Sequence, residues 1–249
     1  MSSDSLIIIP TYNEKENIEN IIRAIFALEK QFHILVIEDN SPDGTADIVR
    51  RMQQEFPQQV FMIERKGKLG LGTAYIAGFK WAIEHKYDYI FEMDADFSHA
   101  PKDLPRLYDK CAKEGYDVAI GSRYVSGVNV VNWPMGRVLM SYFASKYVRF
   151  ITGVPIHDTT AGFKCYRRQV LETIELDKIK FKGYAFQIEM KFTAYQCGFK
   201  IAEVPVIFVN RELGTSKLNT SIFGDAVFGV IQLKWDSWFR KYPKKAKRP

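Results

Sequence analysis

Asp94-Ala95-Asp96 places two carboxylates one residue apart, directly after the apolar run 89–93. On a turn leaving a strand, both can face one cation. Mg²⁺ and Mn²⁺ favour oxygen donors, and Mg²⁺ commonly takes one or two carboxylates together with substrate phosphates. The competing reading is a solvated turn that happens to carry two acids. His99 lies close enough to be either a ligand or a brace for the turn. A second acid, Asp39, closes the run 33–38, where a carboxylate can meet a ribose hydroxyl or an exocyclic amine of a nucleotide, or can simply cap the following turn. Four cations, Arg123, Arg137, Arg211 and Lys217, are candidate phosphate clamps, since arginine grips phosphate bidentately and lysine acts as a point charge. For each of them the alternative is a solvated surface charge. Arg211 and Lys217 share the segment 211–217, whose glycine and short polar residues suit a mobile lid. The glycine-rich stretch 66–72 resembles a phosphate loop but lacks the spacing of one, and reads mainly as a flexible loop opening a helix at Thr73, with a phosphate contact as the alternative.

The elements that position these groups follow from hydrophobic pattern. Continuous apolar runs at 6–10, 33–38, 60–64, 89–93 and 118–120 predict strands covered on both faces. Between them, helical spacing predicts helices over 18–26, 45–56, 73–85 and 104–114. Such alternation predicts an α/β open, doubly wound sheet, with ligands beyond the carboxyl ends of the strands. The polar clusters 10–14, 38–41, 94–96 and 121–124 all fall there and should converge on one crevice.

Two later segments, near 135–152 and 221–239, read as C-terminal amphipathic helices. Leu139, Tyr142, Phe143, Tyr147, Phe150 and Ile151 form the first stripe. Phe223, Val227, Val230, Ile231, Trp235, Trp238 and Phe239 form the second, with Gln232 off it. Such stripes commonly face a core; aromatics running into a basic tail instead point to a membrane surface. The tail, 240–249, carries six of the 35 basic residues and no acid; without it the remaining 29 balance the 29 acids. A charge-neutral body argues against nucleic acid. Cys111, Cys165 and Cys197 have neither metal-ligand spacing nor a disulfide pattern, which fits a cytoplasmic setting. The start reads as no signal peptide, and no apolar stretch is long enough to span a bilayer. The expected organisation is therefore one catalytic domain, 1–239, with a basic tail.

Taken in order, IPTYNE at 9–14, EDNSPDGT at 38–45, GLGTAY at 70–75, MDADFSH at 93–99, GSRY at 121–124, NWP at 132–134, TTAGF at 159–163, FQIEM at 186–190 and GTSKL at 214–218 resemble the dolichol-phosphate (polyprenol-phosphate) mannose synthases. These are inverting family-two glycosyltransferases of GT-A fold, and the chain is similar to their short members without a membrane domain. The resemblance implies transfer of mannose from GDP-mannose to a polyprenyl phosphate at the cytoplasmic face of a membrane, with the protein peripheral there, a membrane-protein partner in some cases, and Mg²⁺ or Mn²⁺ as cofactor. It implies that Pro10, Tyr12, Glu14, Ile37 and Asp39 hold the nucleoside. Asp94, Ala95 and Asp96 would lie at the sugar and diphosphate, with Asp96 the main metal ligand and Ser98 beside it. Arg211 and Lys217 would hold the donor phosphates, and Arg123, Arg137 and Ser141 the acceptor phosphate. Ser98 stands where some relatives carry glutamine, which implies a water or the weaker hydroxyl as metal contact. Lys164 stands where an arginine is common, so a bidentate contact there is lost. Glu189 is expected to orient a basic side chain or cap buried polarity rather than act as a base. The rival readings are the same fold using another sugar nucleotide, such as UDP-glucose, and a nucleotide-binding regulator without turnover.

Overall fold

The computed structural model describes residues 3–210 and 221–245, with side chains at all of these except 184 and 221–227. Its strands are β1 Ser5–Thr11, β2 His33–Glu38, β3 Val60–Glu64, β4 Tyr89–Glu92, β5 Val118–Ser122, β6 Val130–Val131, β7 Lys164–Arg167, β8 Ile201–Pro205 and β9 Phe208–Val209. Its helices are α1 Ile18–Phe26, α2 Thr45–Glu55, α3 Leu71–Glu84, α4 Leu104–Ala112, α5 Met135–Thr152, α6 Arg168–Thr173, α7 Tyr184–Gln196 and α8 Ser221–Phe239.

Seven strands form the main sheet in the order β3-β2-β1-β4-β7-β5-β8. Strands β1 to β4 are mutually parallel, and their order reverses at β1, which opens a crevice between the ends of β1 and β4. Alternate residues of each strand feed opposite cores. Leu6 and Ile8 of β1 join Ala74, Tyr75 and Phe79 of α3 and Phe186 of α7 on one face. Ile7 and Ile9 join Ile18, Ile21 and Ile22 of α1 and Leu104 of α4 on the other. Period-two alternation within an unbroken apolar run is what double coverage requires. Gly78 lets α3 lie directly on β1: a Cβ there would stand 2.7 Å from Ile8 Cγ2.

Strand β7 was not read from the sequence. It runs antiparallel between β4 and β5, pairing Glu92 with Lys164 across the first boundary. Helix α3 begins at Leu71, two residues ahead of the expected start.

The amphipathic stripes need correction in detail. On α5, Leu139, Phe143 and Phe150 are exposed with Met135 and Met140, whereas Tyr147 and Ile151 pack on the core. On α8, Val230 is buried in the core with Leu233, while Phe228, Ile231, Trp235, Trp238 and Phe239 face outward, with Gln232 exposed among them. The reason is that α8 packs against both α5 and α7, which takes one side of α8 into the body and leaves its aromatic face bare. Nor is the described part of the tail simply solvated. Lys245 Nζ lies 2.5 Å from the buried Asp117 carboxylate, Lys244 donates to the Gln196 carbonyl, and the Arg240 guanidinium stands over the Tyr242 ring. Among the described residues no helix is long and apolar enough to cross a membrane.

Candidate active site

The crevice at the strand reversal collects residues from five strand ends. After β4, Asp94 is partly exposed and Asp96 nearly buried, with Ala95 buried between them. Ser98, expected as a metal contact, donates both its N–H (3.1 Å) and its hydroxyl (2.6 Å) to Oδ1 of Asp96 and so orients that carboxylate. Tyr75 reaches from α3 toward Asp94 Oδ1 at 3.5 Å. His99 braces the turn through Nδ1. Its Nδ1 accepts the Asp94 backbone N–H at 3.3 Å, and its ring stacks on Phe163 with centroids 5.0 Å apart. Burial pushes the imidazole down to about 4, so it is neutral at physiological pH and can accept that bond.

Among the described residues no set of three or more histidine, cysteine or acidic groups is arranged to enclose a metal. Two hard carboxylates at the mouth of a crevice suit an ion that completes its shell with substrate oxygens, which is the habit of Mg²⁺ and Mn²⁺ rather than of an ion in a closed protein cage. The residues present therefore fit such a cation.

On the β1–β2 side, Pro10 and Tyr12 are half-buried and Glu14 nearly buried, its side chain accepting from Asn17 Nδ2 at 3.1 Å. Lys68, from the glycine-rich loop, stands 5.1 Å from the Tyr12 ring centre. Ile37, expected at the nucleoside, is instead wholly buried, backbone included, because it lies inside β2 between β1 and β3, with its side chain in the core. Asp39 is held by Arg65 through two short bonds, 2.5 and 2.6 Å. Sequence reasoning missed Arg65; a cation one residue past β3, level with an acid one residue past β2, was the available signal.

On the β5 side, Arg123 is not a free clamp. Its Nε and Nη2 donate to Asp158 at 2.7 and 2.6 Å, its backbone N–H donates to the same carboxylate at 2.9 Å, and Nη2 also reaches Thr160 at 2.7 Å. Burial alone would raise the Asp158 carboxyl, but Arg123 outweighs it and holds the group below its ordinary range. Arg137 lies 4.0 Å from the Trp133 ring centre and donates to Asn210 Oδ1; Arg123 approaches the same indole at 5.5 Å. The structure thus brings Arg123 and Arg137 together, with the half-buried Ser141 one turn along α5 from Arg137. Arg211 and Lys217 lie outside the described residues.

Under the site is a polar layer that pattern reading did not find. Glu92 and Lys164, both fully buried, meet at 2.9 Å. Gln187 Nε2 donates to Glu92 at 2.7 Å, Tyr166 Oη donates to it at 3.0 Å, and Lys164 also donates to Gln187 Oε1. The antiparallel insertion of β7 puts Lys164 opposite Glu92. Lys191, from α7, donates to the carbonyls of Thr159 (2.8 Å) and Ala161 (2.6 Å), pinning the turn before Gly162, the glycine that faces Asp94. Glu189, as expected, caps buried polarity: Oε2 accepts the N–H groups of Lys180 and Phe181.

Comparison with known proteins places this chain in a family. The model of glycosyl transferase family 2 matches residues 6–175. The chain is 47% identical to a polyprenol monophosphomannose synthase of Mycolicibacterium smegmatis over 92% of its own length and 86% of the relative's. It is 45% identical to an undecaprenyl-phosphate mannosyltransferase of Micrococcus luteus, over 91% and 92% respectively. Among solved structures it shares its fold with glucosyl-3-phosphoglycerate synthase of Mycobacterium tuberculosis in complex with Mn²⁺, UDP and glucosyl-3-phosphoglycerate, with a TM-score of 0.67 at 16% identity, over 93% of this chain and 78% of that one. A mannosyltransferase of Pyrobaculum calidifontis in complex with GDP-Man and Mn²⁺ gives 0.61 at 18% identity, over 100% and 66%.

Proposed function

Because the chain belongs to glycosyl transferase family 2, and within it to the polyprenol-phosphate mannose synthases, we propose that it transfers mannose from GDP-mannose to a polyprenyl phosphate with inversion. The observation that carries this reading is the near full-length similarity to two such mannosyltransferases, combined with paired carboxylates at the strand reversal.

Asp94 and Asp96 would hold a divalent ion, with Ser98 fixing the rotamer of Asp96. Such an ion, when bound, neutralises charge that builds on the departing diphosphate. Arg211 and Lys217 would add to this from the donor side. Pro10, Tyr12, Glu14 and Asp39 would receive the nucleoside. Arg123, Arg137 and Ser141 would receive the acceptor phosphate. Arg123 enters that role as half of a near-neutral pair with Asp158, so it supplies directed N–H groups more than net charge, and Arg137 supplies the charge. A phosphate monoester has its second pKa near about 6 and is largely dianionic at pH 7, so the nucleophile needs positioning and no general base. Glu189 is buried with one oxygen occupied by two backbone N–H groups, which fits that scheme. Direct displacement by the phosphate oxygen inverts the anomeric carbon.

The test is a transfer assay on short polyprenyl phosphate with GDP-mannose and UDP-glucose side by side, with the anomeric configuration of the product read by NMR. The expected outcome is β-mannosyl phosphate from GDP-mannose. Faster turnover of UDP-glucose, or retention, overturns the assignment.

We further propose that the chain docks peripherally on the cytoplasmic face of a membrane through the bare faces of α5 and α8, alone or beside a membrane-protein partner. Met135, Leu139, Phe143 and Phe150 on one helix, and Phe228, Ile231, Trp235, Trp238 and Phe239 on the other, expose large apolar side chains on two helices that pack together. With Arg240, Lys244 and Lys245 turned to the body, the aromatic rings carry more of the binding than the tail does. Trp235→Ala with Trp238→Ala is expected to weaken association with anionic vesicles by about tenfold or more, from roughly 1.5–3 kcal/mol per large apolar side chain buried. Each tail cation adds about 1 kcal/mol at low salt. Vesicle sedimentation across a salt series checks this; unchanged binding of the double variant would remove α8 from the docking face.

A further inference from the structure

Asp39 and Arg65 each lie one residue past the end of adjacent parallel strands, β2 and β3, whose last paired residues are Glu38 and Glu64. The backbone carries Arg65 into place, because its N–H donates to the Glu38 carbonyl at 2.8 Å. Its side chain then lies almost out of solvent, as does that of Asp39, each 9% exposed. Nε and Nη2 grip the two carboxylate oxygens at 2.5 and 2.6 Å, while Nη1 donates to Thr73 Oγ1 at 2.8 Å. Thr73 in turn donates to the Gly70 carbonyl at 2.7 Å, in the loop that carries Lys68 toward Tyr12. One guanidinium therefore ties together the ends of β2 and β3 and the start of α3.

We propose that Arg65 is a positioning residue for the donor nucleoside. It acts by holding the Asp39 carboxylate in a single orientation at the crevice and by anchoring the loop that faces Tyr12; this rests on the reading of Asp39 as a nucleoside contact. A carboxylate has about four acceptor sites, and the fork takes one on each oxygen. The remaining lone pairs are fixed in direction, ready for a ribose hydroxyl or a base N–H. Without the fork, a carboxylate this poorly solvated has no partner to oppose its desolvation or to hold its rotamer. A lysine would restore the charge but not the two-point geometry.

The experiment is calorimetric titration of GDP with Mn²⁺ into the wild type, Arg65→Ala, Arg65→Lys, Thr73→Val and Asp39→Ala, together with donor and acceptor steady-state kinetics and thermal melts. The expected result for Arg65→Ala is GDP affinity lower by about 10- to 100-fold, in line with loss of a charged hydrogen-bonding partner. Donor KM rises in step, and acceptor KM is unchanged. Arg65→Lys recovers part of the affinity, and Thr73→Val loses less than Arg65→Ala. The double variant Arg65→Ala/Asp39→Ala loses less than the sum of the two single losses, because one of the two routes by which Arg65 acts runs through the Asp39 carboxylate, and the excess over Asp39→Ala alone matches the loss in Thr73→Val. If Asp39→Ala lowers GDP affinity while folded Arg65→Ala and Arg65→Lys bind GDP like the wild type, the inference about Arg65 is overturned and the nucleoside site stands. If Asp39→Ala binds GDP normally, the nucleoside reading itself fails.

Discussion

Asp96→Ala is expected to lower the transfer rate by about 10²- to 10³-fold, the scale on which loss of one organised electrostatic partner acts in a closed site. The variant should stay folded. Asp96 sits on a turn, and its removal takes the acceptor from the Ser98 hydroxyl and N–H, about 1 kcal/mol for each hydrogen bond. Ser98→Ala, which leaves the carboxylate but not its hydroxyl partner, should cost roughly 10- to 100-fold, as one hydrogen bond to a charged group would. The same logic applies to the ion. Extensive EDTA treatment should silence the wild type, and Mg²⁺ or Mn²⁺ should restore it. Full activity of metal-stripped enzyme would end the metal-assisted scheme, and a melt of Asp96→Ala far below wild type would mean that the turn is structural first. Asp94→Ala should also be severe, though Asp94 is the more solvated of the two.

The largest stability effect is expected at Glu92. Removing it strands the Lys164 ammonium, which has no solvent exposure, beside Gln187 and Tyr166. Burial already pushes the Lys164 amine below its ordinary range, and Glu92 is the charge that opposes this. Glu92→Ala is expected to destabilise the fold by about 3–5 kcal/mol, as breaking a buried pair from one side does. Against a total of about 5–15 kcal/mol for a typical domain, that is a large fraction. The melting midpoint should fall by roughly 6–20 °C, at about 2–4 °C per kcal/mol for a chain of this size. The double variant Glu92→Met/Lys164→Met should recover much of the loss, because no charge is left unpaired. A circular-dichroism melt series decides it: a Glu92→Ala midpoint within about 2 °C of wild type, which is under about 1 kcal/mol, shows that water or another group reaches Lys164.

Much of the fold could be read along the chain. Strands β2 and β3 begin and end where the apolar runs do, and α1 occupies the segment that its isoleucine spacing marks. Local pattern suffices here because a strand covered on both faces must be apolar throughout, and a helix with one buried side must repeat near 3.6. The carboxylates 94 and 96 were legible for a similar reason: in an open parallel sheet, whatever follows a strand lies at the ligand end. Strand β7 was not legible. Its four residues include Lys164 and Arg167, and it becomes a strand only because β4 and β5 leave a gap between them.

By itself, then, the sequence determined the alternation of strands and helices and the place of Asp94 and Asp96 just past a parallel strand, both set by short-range periodicity and chain order. Only the tertiary structure decided who holds whom. It gave Arg65 to Asp39 and Asp158 to Arg123, partners 26 and 35 residues apart. It turned Lys245 back to Asp117 across 128 residues, and left the aromatic face of α8 bare while sinking Val230 into the core. The physical reason is that burial and charge pairing depend on what the other elements place nearby. A carboxylate or arginine reads the same in sequence whether it meets water, a ligand or an opposite charge, and its desolvation and its partner exist only once the chain has closed around it.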